Sequence, residues 1–483
     1  MLTIDWVPNH KDSMPLYRQI IEYIKNKITL GEWPIHSKLP PQRKLAHILQ
    51  VNRSTLTIAL DELIADGLLE TRAGSGTWVA NNTWSVLAST PTVNWNSYLD
   101  KGLYLPNLQI IQEINQAEFK PNMIRLGTGE LSPEFFPRDM MSTILRKLPE
   151  RIHSLGYEEP KGLLFLRQQI RLYLRSLGID TSASSIMIVS GALQALQLIC
   201  SSLLPKDSTI LLEKPSYLFS LKLFQSMNMQ FSGIPLDEEG IELAPIAFQK
   251  QHKNANLLYT IPCFHNPTGI IMTKQRRRDL IHLCQQEQLP IIEDDVYREL
   301  WLDSPPPIPL KALEREGLVL YIGSLSKSLS PGLRIGWIVG PEPVIERLAD
   351  VKMQNDYGSS SLSQWAAAEW FASGLYQQHL EEVRKALHIR REAACKSLQT
   401  YFADIATWQV PTGGFYIWLS LTHPLSMQKL FNLALNEGLL IHPGSIYDYF
   451  SNRHLRLSYS YASLSEMKEG LYRLSVIIRT LKT

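Results

Sequence analysis

Lys327 stands in Ser324-Leu325-Ser326-Lys327-Ser328-Leu329-Ser330-Pro331-Gly332-Leu333-Arg334, shortly after the apolar run LVLYIG. An amine placed in a mostly desolvated pocket has a lowered pKa and can attack an aldehyde. The serines and Arg334 around it offer hydroxyls and a planar cation suited to a dianionic phosphate. Asp294, in LPIIEDDVYREL, falls at the carboxyl end of an apolar run, the rim where doubly wound sheets bind ligands. A carboxylate there needs a cationic partner, and a protonated aromatic nitrogen is one; Glu293-Asp294-Asp295 also reads as a plain strand-end charge cluster.

Further candidates lie along the chain. Tyr297 follows Asp294 closely, and Asn266, in His265-Asn266-Pro267-Thr268-Gly269, sits in a turn whose Asn-Pro bond is a candidate for the cis form. Both side chains suit a ring hydroxyl. Ser190-Gly191-Ala192-Leu193-Gln194 joins a strand-like run to a helical one, so the first N–H groups of that helix point at the rim and suit a phosphate, although such turns are also common as pure structure. Tyr217, in Lys214-Pro215-Ser216-Tyr217, is placed as a platform for a flat ring or as ordinary core packing.

The elements that must position these groups are legible as IMIV, TILLE, NLLYTIP, LPIIEDD, LVLYIGSLS and IGWIVG, separated by amphipathic helical patterns over residues 122–483. Strands alternating with helices predict a mostly parallel, doubly wound α/β sheet. With 483 residues the chain is too long for a lone binding module, and 45% hydrophobic content excludes a mostly disordered one. A formal charge of +2 advertises neither nucleic acid nor membrane, so partners must be sought in local patches. Cys200, Cys263, Cys284 and Cys395 are scattered without a C-x-x-C pair, which fits reduced thiols in a cytoplasm and no structural metal site. The uncharged stretch Thr181–Pro205 is long enough to cross a bilayer but reads better as strand, Ser-Gly turn and amphipathic helix, so no membrane association is expected.

The first eighty residues have a different texture. Leu16, Ile20, Ile24 and Ile28 form the apolar stripe of a first helix, and Gln42–Leu49 makes a short second one. Asn52 then occupies an N-cap position before a helix burying Leu56, Leu60, Leu63 and Ile64 and stopped by Gly67. LLETRAGSGTWVA follows as two strands around Ala73-Gly74-Ser75-Gly76, a β-wing. Arg53, Ser54 and Thr57 face outward at the start of the third helix, the end that enters a major groove. Lys38, Arg43, Lys44 and Arg53 are all positive, whereas Asp61, Glu62, Asp66 and Glu70 follow, so one side is suited to phosphate. A protein-docking scaffold is the alternative. Residues 81–121, rich in Asn, Ser and Thr, read as a linker whose Trp84, Trp95, Tyr98 and Tyr104 suggest partial docking.

PLYRQI, LPPQRKLAHILQVNRSTLTIALDELIADGLL and GSGTWV resemble the winged helix-turn-helix of GntR-type bacterial regulators. That resemblance implies DNA contacts from Arg43 and Arg53; Pro41-Gln42 departs from the serine pair common there, which would weaken one phosphate contact. The segments around Lys327, Asp294, Asn266, Ser190-Gly191 and Tyr217 jointly resemble fold-type I pyridoxal phosphate enzymes of the aspartate aminotransferase class. By that resemblance, Lys327 carries the cofactor as an aldimine, Asp294 pairs with the pyridine nitrogen, and Asn266 and Tyr297 bind the ring hydroxyl. Tyr217 stacks on the ring, while Gly191, Ala192, Leu193, Ser324 and Arg334 form the phosphate cup. Tyr157, in YEEPKG, matches the tyrosine that family dimers extend to the neighbouring subunit, which implies a homodimer. Arg456, in HLRLSYS, matches the arginine that grips a substrate carboxylate, and Gly413-Gly414-Phe415 the loop on the substrate side.

Together the halves resemble the MocR/GabR class of bacterial transcription regulators. The expected architecture is multidomain, α+β and α/β. A winged helix (1–80) and linker (81–121) precede a fold-type I pyridoxal phosphate domain (122–483) with a smaller C-terminal α/β subdomain. The resemblance implies a cytoplasmic homodimer binding paired half-sites on double-stranded DNA. It would sense an amino compound, with a carboxylate for Arg456, through external aldimine formation at Lys327. A catalytically active aminotransferase, and a cofactor that only stabilises the dimer, are the competing readings.

Overall fold

The computed structural model describes the chain except residues 1, 3, 5, 11, 30–31, 73–75, 81–97, 99–105, 153 and 483. The chain divides into two compact units, Met1–Leu103 and Tyr104–Thr483.

In the smaller unit, α1 (Leu16–Thr29), α2 (Gln42–Ile48) and α3 (Arg53–Ala65) precede a hairpin of β1 (Leu69–Arg72) and β2 (Gly76–Val79). The i, i+4 spacing of Ile20, Ile24 and Ile28 puts all three into one core with Leu45, Leu56, Leu60 and Leu63. Burial of each such side chain contributes about 1.5–3 kcal/mol, which is what holds a unit this small together. Helix α3 begins where Asn52 was expected to cap it, but the Asn52 side chain makes no capping bond. Pro41 heads α2 without a capping side chain either. Gly67, at φ +71°, turns the chain away from α3. The hairpin register pairs Arg72 with Gly76. The tip 73–75 lies outside the described residues, as do Trp84, Trp95 and Tyr104 of the expected linker.

The larger unit is built on an eight-stranded sheet of β3 (Ile186–Val189), β4 (Thr209–Lys214), β5 (Gln230–Asp237), β6 (Gly240–Ile241), β7 (Ala255–Thr260), β8 (Ile291–Asp294), β9 (Val319–Ser324) and β10 (Gly336–Val339). Their order is β3-β10-β9-β8-β7-β4-β5-β6. The central pairings from β9 through β8, β7 and β4 to β5 are parallel, while β10 runs antiparallel to both neighbours and β6 is a short antiparallel edge. Residues 186–189, 291–294 and 319–324 are buried throughout, the uniform burial of strands covered on both faces. A second, antiparallel sheet joins β11 (Ala406–Thr407), β12 (Tyr416–Leu421), β13 (His442–Pro443) and β14 (His454–Ser458) in the order β11-β12-β14-β13. The long helix Leu375–Tyr401 and the helices Met427–Asn436 and Leu464–Lys482 pack with it.

The stretch 81–121 is not linker throughout. Helix α4 (Gln109–Ala117) buries Ile114 and Ala117 in the main core, with Ile110 and Ile111 packed against it, so this segment folds with the larger unit. Its apolar face offsets the ordering entropy that the surrounding polar residues would otherwise leave unmatched. Among the described residues no helix is long and apolar enough to cross a membrane, and Thr181–Pro205 resolves into β3, a Ser-Gly turn and helix α5 (Ala192–Leu203).

Candidate functional site

The carboxyl ends of β3, β7, β8 and β9 open on a cavity of about 420 Å³. Gly191, Ala192, Leu193, Tyr217, Asn266, Asp294, Tyr297, Ser324, Lys327, Arg334 and Arg456 all line it. Tyr157 does not; it is 81% exposed, with its ring 4.9 Å from that of Tyr357.

Strand β9 ends at Ser324, and the chain then turns through Lys327. The half-buried Lys327 Nζ donates to the Gly129 carbonyl at 2.6 Å. Ser328 next to it is buried, its hydroxyl 2.8 Å from that of Tyr376 on the long helix, which fixes the turn from behind. Arg334, in the left-handed region at φ +55°, hydrogen-bonds the Ser190 carbonyl. Gly191 is required there: at φ +91° its missing Cβ would meet Arg334 Nη2 at 2.9 Å. Helix α5 starts at the next residue, and the first N–H groups of any helix lack intrahelical acceptors.

Asp294 closes β8 and is 4% exposed. Its Oδ2 accepts from Tyr259 Oη at 2.7 Å, while Oδ1 has no hydrogen-bond partner among the described residues. Burial pushes this carboxyl up to about 6, against the pull of the Tyr259 donor. Burial is also why the neighbouring Glu213 rises to about 8, held by Thr260 and the Ile261 N–H. The Asn266-Pro267 bond is cis, and Asn266 Nδ2 lies 3.4 Å from Tyr297 Oη.

Arg456, on β14, is 4% exposed. Nη1 donates to Asn266 Oδ1 at 2.9 Å, and Nη2 to the Gly127 carbonyl at 2.7 Å and to His442 Nδ1 at 3.0 Å. The guanidinium lies over the Tyr416 ring, 4.1 Å from its centroid, and its Nε has no partner among the described residues. His442 is held well below the usual imidazole range by burial and by the neighbouring Arg456 cation.

Several lining residues were missed by sequence reasoning. Tyr416, hydrogen-bonded to Tyr297 at 3.0 Å, is the neighbour of the Gly413-Gly414-Phe415 segment that reaches the cavity; the two glycines instead pack against Phe264, where any Cβ would clash. Gly129, Glu130, His442 and Tyr447 also line it, as do Asn107, Ile111, Ile114, Asn115 and Glu118 on or beside α4. The only local signal was Gly127-Thr128-Gly129, whose glycines leave room for His442 and Tyr416.

In the smaller unit, Arg43, Arg53 and Ser54 are exposed. No ion pair joins Arg43 or Arg53 to another described residue, which leaves both guanidinia available to phosphate or base edges. Thr57 is half-buried with its hydroxyl donating to the Arg53 carbonyl at 2.9 Å, so it offers a methyl more readily than a hydroxyl. Lys25 neutralises Asp66 at 2.7 Å. Lys38 and Arg72 both lie over the Trp78 ring of the wing.

Comparison with known proteins agrees with this division. Residues 16–79 match the model for bacterial regulatory proteins of the gntR family, and residues 121–474 that for aminotransferase class I and II. The HTH-type transcriptional regulator YdfD of Bacillus subtilis (strain 168) is 53% identical over 468 residues, covering 97% of each chain. The HTH-type transcriptional regulator NorG of Staphylococcus aureus (strain N315) is 33% identical over 453 residues, 92% of this chain and 99% of its own. Among solved structures, the kynurenine aminotransferase of Pyrococcus horikoshii, crystallised with PMP, superposes with a TM-score of 0.74 at 30% identity, over 79% of this chain and 96% of its own.

Proposed function

The chain belongs to the HTH-type transcriptional regulators in which a gntR-family domain precedes an aminotransferase class I and II domain, and on that premise we propose that it is a homodimeric, pyridoxal phosphate-dependent sensor of an amino compound, acting on DNA in the cytoplasm. The observation that carries this is the convergence of Lys327, Asp294, Arg334 and Arg456 on one cavity.

The residues present fit the cofactor. Asp294 Oδ1 is a buried acceptor without a donor, the environment a protonated ring nitrogen would complete. Gly191 keeps the backbone clear beside Arg334, where the first N–H groups of α5 and the guanidinium suit a phosphate. Tyr217 offers a ring face, and Asn266 and Tyr297 offer polar atoms for a ring hydroxyl. When bound, pyridoxal phosphate supplies an aldehyde for an amine and an electron-withdrawing ring.

The chain's own groups do the rest. Lys327 would provide the amine that holds the cofactor, and its Nζ, which donates to the Gly129 carbonyl, would be placed to hold or move a proton. Arg456 binds and orients a carboxylate on the effector, at the expense of its bonds to Gly127 or His442. Arg43 and Arg53 supply the DNA contacts, doubled in a dimer to give paired half-sites. Regulation requires the effector to bind the two states of the dimer unequally, since equal affinity shifts nothing.

Purified protein should show the absorption band of lysine-bound pyridoxal phosphate, and borohydride reduction should fix the label to Lys327. No band, or an unchanged band in Lys327→Ala, contradicts the reading. A working aminotransferase is the second reading, favoured by the complete set of Lys327, Asp294 and Arg456; sustained turnover of an amino acid with a keto acid would establish it.

A further inference from the structure

Helix α4 and its flanks form one wall of the cavity, and Glu118 is that wall's charged member. One carboxylate oxygen of Glu118 accepts from the Thr128 hydroxyl at 3.0 Å, and no ion pair joins Glu118 to another described residue. Thr128, 2% exposed, is flanked by the two glycines whose carbonyls hold the site's cations: Gly127 accepts from Arg456 and Gly129 from Lys327. Three consecutive residues therefore tie a carboxylate-binding guanidinium, a reactive amine and an uncompensated carboxylate into one frame. Arg456, which lines the cavity, has a buried Nε with no partner among the described residues, so the site retains donor capacity for a ligand. Glu130, exposed on the same lining, is a second negative charge on the cavity and disfavours a second acid on that ligand.

We propose that Glu118 reads a second, distal cation on the effector, so that the site is built for diamino acids: carboxylate on Arg456, reacting amine at Lys327, far ammonium on Glu118. This rests on the amine-sensing reading above and names its ligand class. A half-buried carboxylate with one free oxygen gains a charge-assisted hydrogen bond from an ammonium and nothing from a methyl of the same size.

The test uses full-length protein loaded with pyridoxal phosphate and follows its absorption band. The titrants are 2,4-diaminobutyrate, ornithine and lysine, each against its uncharged isostere norvaline, norleucine or 2-aminoheptanoate, with glutamate as the dicarboxylic control. At the best chain length the diamino acid should half-saturate at a concentration about tenfold lower than its isostere, and glutamate should bind worst. In Glu118→Gln, whose amide carbonyl still accepts from Thr128, that ratio should fall towards one. Isosteres that match or beat the diamino acids at every length, tighter binding of glutamate, or an unchanged ratio in the variant would overturn this inference alone. A band that no amino compound moves would overturn the sensing reading, and this inference with it.

Discussion

Asp294 illustrates how a buried carboxyl with one unpaired oxygen costs stability. Its carboxyl is raised to about 6 by burial, against about 3.9 in an unfolded chain. The stability contributed by the protonated form is complete below the unfolded value and is lost as pH rises through about 6. A rise of this size corresponds to roughly 3 kcal/mol. Urea unfolding of the cofactor-free protein should therefore show wild type losing about 3 kcal/mol relative to Asp294→Asn between about pH 4 and pH 7. Bound pyridoxal phosphate should flatten that difference; a flat difference without cofactor would contradict a buried carboxyl with one oxygen unpaired. Asp294 and Lys327, unlike Arg456, which only the family resemblance singles out, were legible in the sequence because each is a charge beside an apolar run that has no use for one. Tyr259, Tyr416, His442 and Glu118 were not, because each is ordinary in its own segment. Their roles appear only when β7, β12, β13 and α4 bring them together.

At the scale of elements, Arg43 and Arg53, at the starts of two helices, have separate proposed roles. Arg43 on α2 and Arg53 opening α3 are both exposed. Arg43→Ala should weaken binding on every sequence and reduce the salt slope by about one, whereas Arg53→Ala should also relax base preference at a cost of about 1–3 kcal/mol. Footprinting at several salt concentrations separates them; identical losses on all sequences from both would count against the groove assignment. At the head of α5, Gly191→Ala combines a left-handed φ of +91° with a Cβ 2.9 Å from Arg334 Nη2. The variant should fold, yet bind pyridoxal phosphate at least about tenfold more weakly by absorbance titration, since strain of about 1–3 kcal/mol falls on the proposed phosphate cup. Wild-type affinity would refute that placement. Strands β3, β4 and β7–β10 were legible as apolar runs between helices. Helix α4 was hidden although Ile110, Ile111, Ile114 and Ala117 recur on one helical face, because its nine residues read together with the Asn- and Ser-rich stretch before them as one linker. Packing of that face against the main core is what ties the helix to the larger unit.

For the whole molecule, two units of unlike chemistry lie on one chain, a winged helix with exposed arginines and a cavity that gathers amine, carboxylate and guanidinium groups. A homodimer should sediment as such and protect two half-sites separated by about one helical turn or a multiple of it; protection of a single half-site would argue for an independent head. Coupling between ligand and DNA must be reciprocal, typically about 5–150-fold in affinity. The decisive measurement is the affinity of the full-length, pyridoxal phosphate-loaded protein for DNA upstream of its own gene neighbourhood, at fixed salt, with and without an amino compound that moves the absorption band. That affinity should change several-fold in the wild type and stay constant in Lys327→Ala. Equal affinity with and without the compound in the wild type would contradict a sensor built around Lys327.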